Sequence, residues 1–286
     1  MDSKPKTKKK IIPKKGLGQN FLSQPGIIRK LVNAAAIRPQ DTILEIGPGT
    51  GNLTAELAQT GNKIICIEKD SEMVEIIRER FASNSNVAIS IGDALTFDET
   101  QIKAPYKIAA NLPFYLTSPL IRKFLESANP PESLTVIVQK EVAQRISAAT
   151  PKMNLLAVCV QFYAITKIIS YVSKECFWPV PKVDCAILHI VPYVKEVERA
   201  ATGEPRPAER ADKKFTDRFF MIVKAGFIQP RKQLANNLAK ALPLDKEKTV
   251  AWLTESNIKP SQRPETLSID DWKRLTRTLP MDYNIQ

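Results

Sequence analysis

The chain has a single histidine, His189, in 286 residues, and it lies inside an apolar, strand-like run. In that setting it reads as a packing residue, which removes histidine-based acid–base catalysis as the leading mechanism. Cysteine is also scarce. Cys66, Cys159, Cys176 and Cys185 make no C-x-x-C pair and fall mostly in apolar runs, which points to reduced, buried thiols and away from disulfides or zinc. No metal is expected. Long apolar runs are missing as well: Leu155–Val160 is far shorter than the roughly 20 residues that span a bilayer. The first residues are lysine-rich without the apolar core of a secretory signal, so a soluble cytoplasmic protein with no membrane partner is expected.

With 286 residues and 43% hydrophobic content, there is enough chain for one full α/β domain and a smaller second one. The net charge of +12 is unevenly spread. Residues 1–15 carry seven lysines against Asp2, residues 16–194 are close to neutral, and residues 195–286 are again basic with 18 cationic and 13 anionic side chains. Excess charge in a tail and a terminal module suits a phosphate backbone. For the lysine run alone, a solvated, repulsive tail fits equally well.

Short apolar runs predict strands at Thr42–Ile46, Lys63–Glu68, Val87–Ile91, Tyr106–Ala110 and Leu134–Gln139. Amphipathic segments predict helices at Gly26–Ala36, Leu53–Gln59, Ser71–Ala82, Pro119–Ser127 and Glu141–Ala148, the fourth capped by Ser118 with Pro119 first in the helix. This alternation implies a doubly wound parallel sheet, and two further strands are expected at Val158–Ser170 and Val183–Val191. Gly203, Pro205 and Pro207 punctuate a charged stretch without periodicity, and four helical segments follow it. The expected organisation is a basic flexible tail at 1–15, a catalytic domain at 16–194, a linker at 195–211 and a helical module at 212–286.

The first strand runs into Glu45-Ile46-Gly47-Pro48-Gly49-Thr50-Gly51, whose glycines are spaced G-x-G-x-G. A dinucleotide loop reads G-x-G-x-x-G because it must admit a pyrophosphate at a helix N-terminus. The tighter spacing suits S-adenosylmethionine, whose methionyl part lies against exposed backbone. Glu68 ends the second strand, where it can hold ribose hydroxyls, and Asp93 follows the third, where it can accept from the cofactor's adenine amino group. Either acid alone would read as a turn residue or helix cap. Their joint placement at successive strand ends carries the assignment.

Asn111-Leu112-Pro113-Phe114 ends the fourth strand. The N6 amino group of adenine is a poor nucleophile because its lone pair is delocalised into the ring. If Asn111 Oδ1 and the Leu112 carbonyl each accept one N6 hydrogen, the nitrogen is drawn toward tetrahedral geometry with its lone pair free, and no strong base is needed. Phe114 can stack on a base that has been turned out of its helix. An ordinary turn with a core phenylalanine fits the tetrapeptide taken alone.

These residues, together with several others, resemble the ribosomal RNA adenine-N6,N6-dimethyltransferases that act on the 3′-terminal hairpin of small-subunit rRNA. The resemblance begins at Gly18-Gln19-Asn20-Phe21-Leu22, passes through the glycine loop, Glu68, Asp93 and Asn111–Phe114, and resumes at Phe177-Trp178-Pro179-Val180-Pro181-Lys182-Val183-Asp184. Gln229-Pro230-Arg231-Lys232 with Asn236 and Leu238 is similar to a stretch of the family's helical domain. It implies a Rossmann-like S-adenosylmethionine-dependent methyltransferase sheet with a small C-terminal α-helical domain. It also implies that Asn20, Leu22, Gly47 and Gly49 border the methionyl end, that Glu68 and Asp93 hold the ribose and adenine, and that Asn111 touches both cofactor and target. Phe114 and Phe177 would sandwich the flipped adenine. The implied partners are small-subunit rRNA and the immature 30S subunit, met by a monomer.

Two positions depart from the family pattern: Phe114 replaces a usual tyrosine, and Lys152-Met153-Asn154-Leu155 stands where a tyrosine-glycine pair is common. Rival readings are the antibiotic-resistance enzymes that methylate an adenine of large-subunit rRNA, a DNA adenine methyltransferase, and a ribosome-assembly binding factor with secondary catalysis. Asp184 and the 229–238 stretch favour the small-subunit branch, no target-recognition domain for DNA is evident, and intact Glu68, Asp93 and Asn111 argue for catalysis.

Overall fold

The apolar runs pair into a seven-stranded sheet in the computed structural model, which describes residues 11–103, 105–193 and 212–279. A two-residue strand β1 (Phe21–Leu22) and helix α1 (Pro25–Ala34) precede it. Then follow β2 (Thr42–Ile46), α2 (Asn52–Ala58), β3 (Lys63–Glu68), α3 (Ser71–Arg80), β4 (Val87–Ile91), β5 (Tyr106–Asn111), α4 (Thr117–Glu126), β6 (Ser133–Gln139), α5 (Lys140–Ile146), α6 (Leu155–Gln161), β7 (Ala164–Val172), β8 (Phe177–Trp178) and β9 (Cys185–Pro192). The strand order is β4-β3-β2-β5-β6-β9-β7. The first five are parallel, whereas β9 pairs antiparallel with both β6 and β7, so the sheet is mixed and not wholly parallel. All five parallel strands therefore deliver their C-terminal residues to one edge, where ligands bind in open α/β sheets.

Two local expectations are corrected. The run at 158–170 is not one strand: its first residues belong to α6, because Asn154 accepts a hydrogen bond from the Ala157 amide at 3.1 Å and caps a helix. A short apolar run has no periodicity to separate helix from strand, and the cap decides it here. Helix α4 begins at Thr117 with Leu116 as N-cap and no side-chain cap, because the preceding 3₁₀ turn Phe114–Leu116 runs directly into it. Ser118 is thus inside the helix. The expected linker at 195–211 lies outside the described residues, as do residues 1–10 of the expected tail. Further along, Lys14 is docked on the folded chain by a 2.8 Å contact with Asp70.

The terminal helices are α7 (Lys213–Gly226), α8 (Leu234–Ala241), α9 (Lys246–Glu255) and α10 (Ile269–Arg277). Asp212 caps α7, Asp245 caps α9, and Ser268 with Asp271 forms a capping box on α10. Gly226 lets α7 approach α10, since a Cβ there would collide with the Trp272 ring. Asn237, 1% exposed, donates to the Gly226 and Gln229 carbonyls and ties off the end of α7. These helices share a hydrophobic core with the sheet: Phe162 lies 4.2 Å from Phe219 between ring centroids, and Phe220 packs on Phe162 and Tyr163.

Candidate active site

A cleft of about 720 Å³, partly open to solvent, lies along the C-terminal ends of the parallel strands. Its floor is the turn after β2, where Gly47, Gly49 and Gly51 have φ of 66°, 54° and 78°. That left-handed region is strained for any side chain. At Gly49 a Cβ would also sit 2.7 Å from the Phe21 ring, so glycine is what lets the N-terminal segment close onto the loop.

Glu68, 7% exposed, lines the cleft at the end of β3. Its Oε2 accepts from the Gly49 amide at 3.1 Å and its Oε1 from the Asp70 amide at 2.9 Å. Burial pushes this carboxyl above the usual range, and the backbone donors partly offset that. Each oxygen keeps a lone pair for a ribose hydroxyl. Asp93 lies farther along the cleft. The Lys69 ammonium 2.8 Å from its Oδ2 and the Leu95 amide 2.9 Å from its Oδ1 hold its carboxyl low and charged. Glu45 is 1% exposed behind the glycine loop and does not line the cleft; burial raises its carboxyl to about 7.

The opposite wall is the N-terminal segment Leu17–Phe21. It is latched by Asp70, which accepts from Lys14 Nζ and from Gln19 Nε2, each at 2.8 Å, while also capping α3. Asn20 is legible as a site residue from the sequence, whereas the roles of Lys14, Gln19 and Asp70 are not. The only available signal was an aspartate directly before a predicted helix.

Asn111 ends β5, and its amide faces two ways. Nδ2 donates to the Asn20 carbonyl at 2.8 Å, and Oδ1 is buried with no hydrogen-bond partner. Leu112 is 3% exposed and its amide is tied to the Ile137 carbonyl at 3.2 Å, which anchors the tetrapeptide to β6. Pro113 and the half-buried Phe114 complete this side of the cleft, and Tyr115 stands 51% exposed at its lip.

The cleft thus gathers Asn20, Gly47, Gly49, Glu68, Asp93, Asn111, Leu112, Pro113 and Phe114. Leu22 and Phe177 do not line it. They face each other across the antiparallel β1–β8 pair, 4% and 2% exposed, and the Leu22 carbonyl accepts from Asn52. A base sandwiched between Phe114 and Phe177 would have to displace the Phe177 ring from its packing.

The donor set fits a phosphate-free nucleoside. Among the described residues Lys69 is the sole cation lining the cleft and is already paired with Asp93, so none of them sets a free cation against a pyrophosphate. His189 is outside it: its Nδ1 lies 2.8 Å from Thr135 Oγ1, and burial lowers its pKa. Among the described residues no group of three or more His, Cys, Asp or Glu could hold a metal ion, and no helix is long and apolar enough to cross a membrane.

Residues 12–279 match the family model described as "Ribosomal RNA adenine dimethylase". The chain is 39% identical over 265 residues to a protein named ribosomal RNA small subunit methyltransferase A from Dehalococcoides mccartyi, covering 92% of this chain and 87% of that one. A protein of the same name from Enterococcus faecalis is 38% identical, with 93% and 90% covered. Among solved structures, a dimethyladenosine transferase from Plasmodium falciparum superposes with a TM-score of 0.73 at 25% identity, covering 89% of this chain and 95% of that one. The 23S rRNA methyltransferase ErmE shares the fold, with a TM-score of 0.70 at 24% identity and coverage of 91% and 99%. By its sequence from Ile12 to Leu279 and by its fold, this chain belongs to the ribosomal RNA adenine dimethylase family.

Proposed function

We propose that the chain transfers methyl groups from S-adenosylmethionine to N6 of two adjacent adenosines in the 3′-terminal hairpin of small-subunit rRNA, giving N6,N6-dimethyladenosines. The observation that carries this reading is the buried, unpartnered Oδ1 of Asn111. Leaving such an acceptor unsatisfied costs about 1–3 kcal/mol, a cost removed when a ligand brings an N–H to it. Adenine N6 brings two.

When bound, S-adenosylmethionine supplies a methyl group on an electrophilic sulfonium. Asn20 and the backbone of Gly47 and Gly49 border its methionyl end, Glu68 takes the ribose hydroxyls, and Asp93 takes the adenine amino group alongside Lys69. In the first transfer Asn111 Oδ1 and the Leu112 carbonyl accept the two hydrogens of the target N6, and in the second one of them accepts the hydrogen that remains, holding the lone pair out of the ring plane and toward the donor side of the cleft. As each N–CH3 bond forms and the sulfonium S–CH3 bond breaks, the acidic N6 proton is released to solvent through the open cleft. Developing positive charge on N6 is met by those same two oxygens. Phe114 stacks on the target base. The substrate is the immature 30S particle, the enzyme acts as a monomer in the cytoplasm, and the names of the curated relatives support the small-subunit assignment.

The test is incorporation of labelled methyl groups into unmethylated small-subunit and large-subunit particles by the wild type and Asn111→Ala. Transfer to the small-subunit particle alone, lost in the variant, is expected. Equal signals from the two proteins would remove the mechanism, and transfer to the large-subunit particle would reassign the substrate.

A further inference from the structure

We propose that Trp178 is a stacking plate for the nucleobase beside the target adenosine, with Lys174 and Lys182 placed to meet the adjoining phosphates. The proposal deepens the adenine-methylation reading and rests on it for the identity of the RNA.

The placement follows from the two-residue strand β8. Adjacent side chains on a strand point to opposite sides, so Phe177 turns inward at 2% exposure and Trp178 turns outward at 50%. Trp178 is not loose. It pairs with Phe21 across the β1–β8 ribbon, and the two rings stack with centroids 6.0 Å apart and planes at 27°. Phe21 in turn is packed at Gly49, on the floor of the cleft. The indole is therefore braced on one side by the wall of the active site and open on the other, an aromatic surface fixed before any ligand arrives.

The neighbouring side chains give the plate its chemistry. Val180 and Val183 are 52% and 44% exposed, so three large apolar side chains within six residues face solvent. One exposed apolar residue is ordinary, but a cluster beside a binding cleft marks a contact surface. Lys174 and Lys182 flank the same loop, are exposed, and form no salt bridge among the described residues. With Lys140 they border a shallow depression in which three lysines stand against two acids, Glu141 and Asp184, and Asp184 accepts from the Lys174 backbone amide at 3.1 Å. Aromatic faces interleaved with cations are what a single strand of RNA needs: a base stacks and its phosphates find positive charge. A protein surface would not require the cations, and a folded duplex would not expose a base to stack.

Trp178 also reports on itself, because Trp252 and Trp272 are 2% and 0% exposed. Intrinsic fluorescence is titrated with a short single-stranded RNA carrying two adjacent adenosines, and separately with polyphosphate. Quenching by the RNA and none by polyphosphate is expected. In steady-state assays on unmethylated small-subunit particles, Trp178→Ala should raise KM roughly 5- to 100-fold, the range for loss of one base–aromatic stack, and lower kcat much less. Trp178→Phe should recover most of the loss, which separates stacking from misfolding. Unchanged KM in Trp178→Ala, no rescue by Trp178→Phe, or equal quenching by polyphosphate would overturn the plate. RNA-specific quenching in a protein that methylates no particle would support the plate while removing the methylation reading, so the two failures are distinguishable.

Discussion

The side-chain amide of Asn111 donates to the Asn20 carbonyl at 2.8 Å while its own oxygen stays buried and unpaired. One residue thus fastens the N-terminal wall of the cleft and presents an acceptor to whatever enters. Asn111→Asp keeps the acceptor and removes the donor, setting a carboxylate against the Asn20 carbonyl. Methyl transfer should fall on the order of 100-fold, as for loss of a positioning dipole, and the segment from Lys14 to Leu22 should become easier to cleave. Limited proteolysis alongside turnover checks both, and a variant with full activity and an unchanged cleavage pattern would contradict the dual role.

Phe114 stands in the cleft wall, and the proposed stacking on the target base calls on its ring alone. Phe114→Tyr should retain activity, whereas Phe114→Ala should lose roughly 5- to 100-fold in kcat/KM, the worth of one base–aromatic stack. Normal turnover by the alanine variant would remove the stacking role.

Gly49→Ala places a methyl group 2.7 Å from the Phe21 ring at a φ of 54°. The left-handed backbone alone costs about 1–2 kcal/mol, so the melting midpoint should drop by about 5 °C. Donor binding should weaken as well, because the Phe21 ring of the N-terminal wall packs on the glycine turn that forms the cleft floor. Calorimetric titration with S-adenosylmethionine reads that loss; affinity equal to wild type would mean that the turn relaxes without cost to the site.

Asp41 precedes β2 and pairs with Lys107 Nζ at 2.8 Å and with Arg38 Nη2 at 2.9 Å. Burial pushes its carboxyl up, but the hydrogen bonds from Arg38 and Lys107 outweigh burial and bring it down to about 2. A depressed carboxylate contributes stability that is complete above its ordinary value near 4 and is lost as pH falls through 2. About 2 kcal/mol should therefore disappear between pH 4 and pH 2, and Asp41→Asn should flatten the stability curve over that window. Denaturant titrations at stepped pH measure it; parallel curves for the two proteins would rule out Asp41 as the titrating group.

Deleting residues 1–10, which hold five lysines, should weaken RNA binding and leave donor binding unaltered. The slope of log affinity against log salt should become shallower, since fewer counterions are displaced from the phosphates. Paired titrations of RNA and S-adenosylmethionine at several salt concentrations test this division of labour. A larger loss for the donor would reverse it.

The sequence by itself determined the parts that depend on local pattern. The strands Thr42–Ile46, Lys63–Glu68 and Val87–Ile91 have the bounds read from their apolar runs, and the glycine turn, Glu68, Asp93 and Asn111 lie at the strand ends where parallel topology had to bring them together. Tertiary structure alone decided what depends on pairing across the chain. Whether β9 runs antiparallel is set by hydrogen bonding with β6 and β7, which an apolar run does not encode. The helix at 155–161, by contrast, is set by a local cap from Asn154 three residues before Ala157, a signal present in the sequence that the apolar run masked. The latch of Lys14 and Gln19 on Asp70 joins residues more than 50 positions apart. The inward turn of Phe177 and the outward turn of Trp178 likewise follow from their register against Leu22 and Phe21. In a strand the side-chain direction alternates at every residue, so partner and register fix which aromatic is buried and which meets solvent.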